Sequence, residues 1–116
     1  MIKRLLNEYR MQNGKQLVVM DNWEEDQYAR WHCLYMAKIQ ECCHAPEYLR
    51  QRDGYILSEV VAGRSFFHTP DETLRTIILE QIANSPEHKD IILSNDNLAC
   101  AFHVEHYYVF VCIRGW

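Results

Sequence analysis

Apolar residues recur at Ile2, Leu5, Leu6 and Tyr9, the spacing of one helix face, and Asn13-Gly14 follows as a stop signal. A first helix is therefore expected over residues 2–12. Leu17-Val18-Val19-Met20 reads as a short apolar connection. Asp21 is the expected N-cap of a second helix, with Glu24 three residues on as its capping-box partner. That helix is expected to reach Gln40 or Glu41 and to bury Ala29, Cys33, Met36 and Ala37, with His32 on the same face.

After Cys43 the periodicity lapses, and a loop is expected through Pro46 and Arg52-Asp53-Gly54. Tyr55-Ile56-Leu57 and Val60-Val61 are β-prone, with Gly63 as the end of the stretch. Thr69-Pro70-Asp71-Glu72 combines a Thr cap, a proline at the first helical position and an acid at the capping-box position. The helix it opens carries Leu74, Ile77, Ile78 and Ile82 as its inner stripe. Asn84-Ser85-Pro86 breaks that helix, and Ser85 with Pro86 starts one further helical turn. Leu98 to His103 and Tyr107 to Ile113 alternate and are rich in aromatic and β-branched residues, with Val104-Glu105-His106 at the turn.

The order is helix, helix, strand, helix, hairpin. It predicts an α+β fold, an α-β-α sandwich with a small antiparallel sheet flanked by helices. The C-terminal hairpin is expected at the centre, with the first three helices outside. No repeat, linker or low-complexity segment interrupts the 116 residues, so residues 1–116 are read as a single domain.

Composition narrows the functions. Apolar residues make up 48% and charged residues 24%, ordinary usage for a packed domain rather than a disordered one. A net charge of −4 argues against nucleic acid, which needs a basic face, and gives no support for docking on anionic membranes. No apolar run approaches the ~20 residues of a transmembrane segment. Met1-Ile2-Lys3-Arg4-Leu5-Leu6-Asn7-Glu8 has a basic start but turns polar at Asn7, so no signal peptide is read here and the compartment stays open. The five cysteines, Cys33, Cys42, Cys43, Cys100 and Cys112, contain no C-x-x-C metal pattern and are an odd number. They read as small core residues of a reduced protein.

Candidate chemistry lies at the chain breaks. His44 follows the second helix, Glu59 is an acid in an apolar run, and His88 opens the segment after Asn84-Ser85-Pro86. Two neutral imidazoles and a carboxylate hold a divalent ion such as Zn²⁺, or, without metal, form a network in which the acid sets a histidine tautomer. The plainer alternative makes His88 a cap and His44 a surface residue. There is no H-E-x-x-H pair, so a zincin protease is not supported. His32 reads as a core histidine bonded to a neighbouring loop, and His68, His103 and His106 as surface residues. A nucleophilic Cys42 or Cys43 beside His44 lacks an orienting third group. Trp23, Tyr28, Trp31 and Tyr35 lie partly opposite the buried stripe of the second helix, an aromatic face that binds a partner or a lipid tail, or is covered by a segment such as Trp116.

Six ordered fragments resemble the CAP superfamily, the SCP-like domains of cysteine-rich secretory, antigen 5 and pathogenesis-related 1 proteins, and are most similar to its short bacterial branch. They are Leu6-Asn7-Glu8-Tyr9-Arg10 with Gly14 and Leu17; Ala29, His32, Met36 and Ala37; His44 in C-H-A-P-E; Glu59 in S-E-V-V-A-G; His88 in N-S-P-E-H-K-D-I-I-L; and Tyr107-Tyr108-Val109-Phe110. The chain departs from that pattern at Ser58, Val60 and Ile82, and the last acid of the family cleft falls near Ser85.

The resemblance implies a cleft of His44, Glu59, Ser85 and His88, and a family mostly secreted, without general enzymatic activity and linked to sterol, lipid or protein recognition. The expected function is a non-enzymatic binding domain for a small ligand, lipid or protein, with no cofactor. The alternative is a metal-assisted hydrolase with His44 and His88 as Zn²⁺ ligands and Glu59 as general base.

Overall fold

The computed structural model describes residues 1–16, 22–66 and 68–116. Helix α1 (Ile2–Gln12) buries Ile2, Leu5, Leu6 and Tyr9, the stripe expected from their spacing. Gly14, at φ +73°, turns the chain out of the helix in the left-handed region that glycine enters without steric cost. Arg10 is also buried. Its Nε donates to the Gln16 carbonyl at 2.9 Å, and its Nη1 donates to the carbonyls of Ile92 (2.7 Å) and Asn95 (2.9 Å).

Helix α2 (Trp23–Ile39) starts one residue later than expected. Its cap is Asn22, whose Oδ1 accepts the Glu25 N–H at 2.9 Å, and its first turn carries Glu24, Glu25 and Asp26 at the positive end of the helix dipole. Asp21 and the apolar stretch 17–20 lie outside the described residues. The helix ends where Gln40 adopts the left-handed conformation, φ 56°.

Residues after Cys43 are more ordered than the expected loop. A 3₁₀ turn (Glu47–Leu49) leads into a two-residue hairpin, β1 (Gln51–Arg52) and β2 (Tyr55–Ile56). Its turn is Asp53-Gly54, both at positive φ, the dipeptide that tight hairpin turns favour. Strand β3 (Ser58–Ser65) then runs past Gly63 instead of ending there. Gly63 pairs with Phe110, and its missing Cβ leaves room for the Tyr108 ring, which would lie 2.5 Å from that atom. The glycine is there for close packing rather than for termination.

Helix α3 (Pro70–Thr76) opens as read from the sequence, with Thr69 Oγ1 accepting the Glu72 N–H at 3.1 Å and Pro70 in the first turn. It continues as a π-helical stretch (Ile77–Ile82). Leu74, Ile77, Ile78 and Ile82 are all buried. Replacing Thr69 by alanine removes the acceptor and is expected to lower stability by about 1 kcal/mol, read as a shifted midpoint in urea with unchanged slope. Pro86–Ser94 forms a nine-residue helix, α4, longer than the single turn expected.

Strands β4 (Leu98–Glu105) and β5 (Tyr108–Gly115) form the C-terminal hairpin. Its turn is His106-Tyr107, both at positive φ, so Val104 and Glu105 belong to the strand and Tyr107 to the turn. The antiparallel order is β3-β5-β4. One strand of the hairpin, β5, is central, and β4 lies at an edge.

Strand alternation divides the core. Val109, Val111 and Ile113 of β5, with Val60 and Ala62 of β3 and Leu98 and Cys100 of β4, face α1, α3 and α4. Phe110 and Cys112 face Ala29, Cys33, Met36 and Ala37 of α2. The protein is an α+β fold, an α-β-α sandwich with three helices on one side of the sheet and α2 on the other. No helix among the described residues is long and apolar enough to cross a membrane.

Candidate binding groove

Glu59 on β3 and Arg114 on β5 are paired in register and point to the α2 side of the sheet. Both side chains are almost completely enclosed, 0% and 2% exposed. Arg114 Nε donates to Glu59 Oε2 at 3.2 Å, and the Cys112 thiol lies 3.7 Å from the same oxygen. Glu59 Oε1 accepts the Ala45 N–H at 2.8 Å and faces His44 Nδ1 at 3.1 Å. The buried carboxylate thus anchors the chain that leaves α2, and holds the half-exposed His44 ring by one nitrogen. Desolvation of two charges is offset here because both oxygens of the acid are hydrogen-bonded.

Above this pair is a groove of about 500 Å³. Tyr28, Trp31 and Tyr35 of α2 form one wall, and Pro46, Tyr48 and Leu49 the other, with His32, His44 and Arg114 at its polar parts. Five internal contacts set these walls. Tyr28 and Trp31 pack edge to face with ring centroids 5.4 Å apart. The Arg52 guanidinium lies 4.6 Å from the centre of the Tyr28 ring while pairing with Glu25 at 2.7 Å. His32, buried on the α2 stripe, bonds through Nε2 to the Cys43 carbonyl and stacks on Tyr35. His32 is therefore the core histidine bonded to a neighbouring loop that its position implied.

Two of the four expected cleft residues meet: His44 and Glu59. Ser85 and His88 do not join them. They lie at the start of α4, whose Ile92 belongs to the same core cluster as Val60 and Ile113, on the other face of the sheet. Since strand residues alternate, Val60 facing α4 requires Glu59 to face away from it. Among the described residues, no group of three or more His, Cys, Asp or Glu side chains is arranged to hold a metal ion. The expected Zn²⁺ pair His44 and His88 is thus split between two layers, and Ser85 is half-buried at the α4 cap without a side-chain cap bond.

The aromatic face is only partly as expected. Tyr28, Trp31 and Tyr35 line the groove, but Trp23 does not and is highly exposed. Trp116 is not part of the groove; its backbone pairs with Asn97, and with Asn22, Glu24 and Glu25 it lines a separate surface pocket. Sequence reading missed Tyr48, Leu49 and Arg114. Arg114 had a signal: it shares the parity of Phe110 and Cys112 on an otherwise apolar strand, opposite another strand carrying a lone acid.

All five cysteines are unpaired. Burial pushes the Cys33 and Cys100 thiols up to about 12, and raises Cys112 well above the ordinary thiol range, with Glu59 adding to the effect. Burial also raises Cys42 and Cys43, the latter helped by Glu41 and Glu59. These thiols stay protonated at neutral pH, the opposite of an activated nucleophile.

No protein-family model matches the chain, and no curated protein matches its sequence. Among solved structures it is similar to an outer surface protein from Borrelia burgdorferi, with a TM-score of 0.69 and 15% identity over 98% of this chain and 88% of that one. Likeness at this identity is a likeness of fold.

Proposed function

We propose that the chain is a non-enzymatic, CAP-like binding domain that takes a small apolar ligand in the groove between α2 and the Pro46–Leu49 segment. The observation that supports this most directly is the groove's construction. Four aromatic side chains surround a volume within the ~300–1,000 Å³ of ligand pockets, and a few polar groups converge at one end. Large exposed aromatic side chains, Trp31 and Tyr48 among them, are costly to leave in water without a contact to make. The CAP resemblance agrees with a His44–Glu59 cleft, and it is part of the proposal. The hydrolase alternative is not carried forward, because His88 sits across the sheet from His44 and Glu59.

Titration with the neutral dye Nile red tests this reading. Dye emission is expected to rise and shift to the blue with the wild type. Trp31→Ala and Tyr48→Ala are each expected to weaken binding roughly tenfold, about 1.4 kcal/mol, while Trp23→Ala, which alters an exposed tryptophan outside the groove, leaves it unchanged. Equal loss in all three variants, or no binding at all, would refute the groove as the site.

A further inference from the structure

We propose that the groove's ligand is a planar aromatic molecule with a neutral hydroxyl group, a phenol-type compound whose hydroxyl donates to His44 Nε2. The inference deepens the groove reading and rests on it.

Hydrogen-bond accounting at Glu59 assigns the histidine proton. Ala45 N–H and Arg114 Nε–H can only donate, and they fall on different oxygens of the carboxylate. His44 Nδ1, 3.1 Å from Oε1, faces an acceptor beside a guanidinium, so it bonds there as N–H. A neutral ring with its proton on Nδ1 has a lone pair on Nε2. The side chain is 55% exposed and lines the groove, so this acceptor is open to a ligand.

The same accounting applies to Arg114. Its Nε is held by Glu59 and its Nη1 lies 3.5 Å from the Leu49 carbonyl. This nearly enclosed guanidinium lines the polar end of the groove as a cation matched by Glu59.

The polar end thus offers the His44 Nε2 acceptor, with the Arg114 charge already matched by Glu59. A neutral hydroxyl suits this acceptor, since it donates without bringing a charge. A carboxylate would put its negative charge against the Nε2 lone pair, and an ammonium would meet the Arg114 cation. One face of the Tyr28 ring is already taken by the Arg52 guanidinium. For the body of the ligand, rings of Tyr28, Trp31, Tyr35 and Tyr48 favour an aromatic partner through offset or edge contacts.

Four probes with one body and different heads test the proposal on the intact chain at pH 7: 2-naphthol, naphthalene, 2-naphthoate and 2-naphthylmethylammonium. Binding is followed by backbone amide shifts in NMR, with Nile red displacement in parallel. 2-Naphthol is expected to bind about five- to tenfold more tightly than the other three, the scale of one net hydrogen bond. In His44→Phe, which keeps a ring but no acceptor, naphthol and naphthalene should become equal. His44 is exposed, so folding should survive, and a melting curve checks it. If Nile red binds the groove but naphthoate or the ammonium rivals naphthol, or if His44→Phe keeps the naphthol preference, the hydroxyl inference is overturned while the groove reading stands. If neither Nile red nor any naphthalene probe binds, both fall.

Discussion

Glu59→Ala is expected to lower the unfolding free energy by about 3–5 kcal/mol, the largest loss for any single polar change in the molecule. The reason is the partner left behind. Arg114 cannot release its proton near neutral pH, and its side chain is 2% exposed, so removing the carboxylate strands a charge inside the sandwich. Ala45 N–H loses its acceptor at the same time. Glu59→Gln should fare little better, since its amide group turns a donor toward Arg114, Ala45 or His44. Removing both charges with Glu59→Ala and Arg114→Met is expected to recover part of the loss, because no buried charge remains. Urea unfolding of the three variants decides this. An Arg114→Met change that worsens Glu59→Ala additively would show that the two side chains do not act as a pair. Added Zn²⁺ is expected to leave the wild-type melting temperature unchanged; a rise abolished by both His44→Ala and His88→Ala would show that these two layers share an ion.

Met36→Ala is expected to cost about 2–5 kcal/mol. Met36 is fully buried where α2 meets the sheet, packed with Ala29, Cys33, Phe110 and Cys112. Most of these neighbours are small, so the cavity left by truncation has little to collapse into it. Met36→Leu, which conserves volume, should cost less than about 1.5 kcal/mol. The pair also reports on function. Trp31 and Tyr35 are carried on the outer face of the same helix, so a loosened α2 should weaken Nile red binding in Met36→Ala while Met36→Leu retains it. Chemical denaturation with parallel dye titration checks both. Equal stability of the two variants would show that the α2 layer is not held by this side chain.

The elements that were legible in the sequence are those whose information is local. The stripes Ile2-Leu5-Leu6-Tyr9, Ala29-Cys33-Met36-Ala37 and Leu74-Ile77-Ile78-Ile82 are each spaced to bury one helix face, and all are buried. The Thr69 cap depends only on the three residues that follow it. The alternating run at the C-terminus needs no partner to be seen as strand. From these alone the α+β class and the layered sandwich followed. The cap at Asn22 in place of Asp21 and the turn at His106-Tyr107 were misplaced by a residue or so, because adjacent polar residues have similar propensities and only the backbone conformation selects between them.

Tertiary structure decided the rest. Gly63 looked like a stop, but pairing with Phe110 and the approach of Tyr108 give its missing side chain a packing role that no local rule contains. His44, Glu59 and His88 all sit at chain breaks, which said nothing about the side of the sheet each would occupy. That depended on the parity of β3 and the layer in which α4 packs. The groove has the same origin: Tyr48 and Leu49 face Trp31 and Tyr35 only because Ala45 N–H and His44 are drawn onto a buried carboxylate from another strand. Local spacing determines which residues of an element are buried together. Which elements then share a face is set by strand register and long-range pairing, where the partner of Glu59 lies 55 residues away at Arg114.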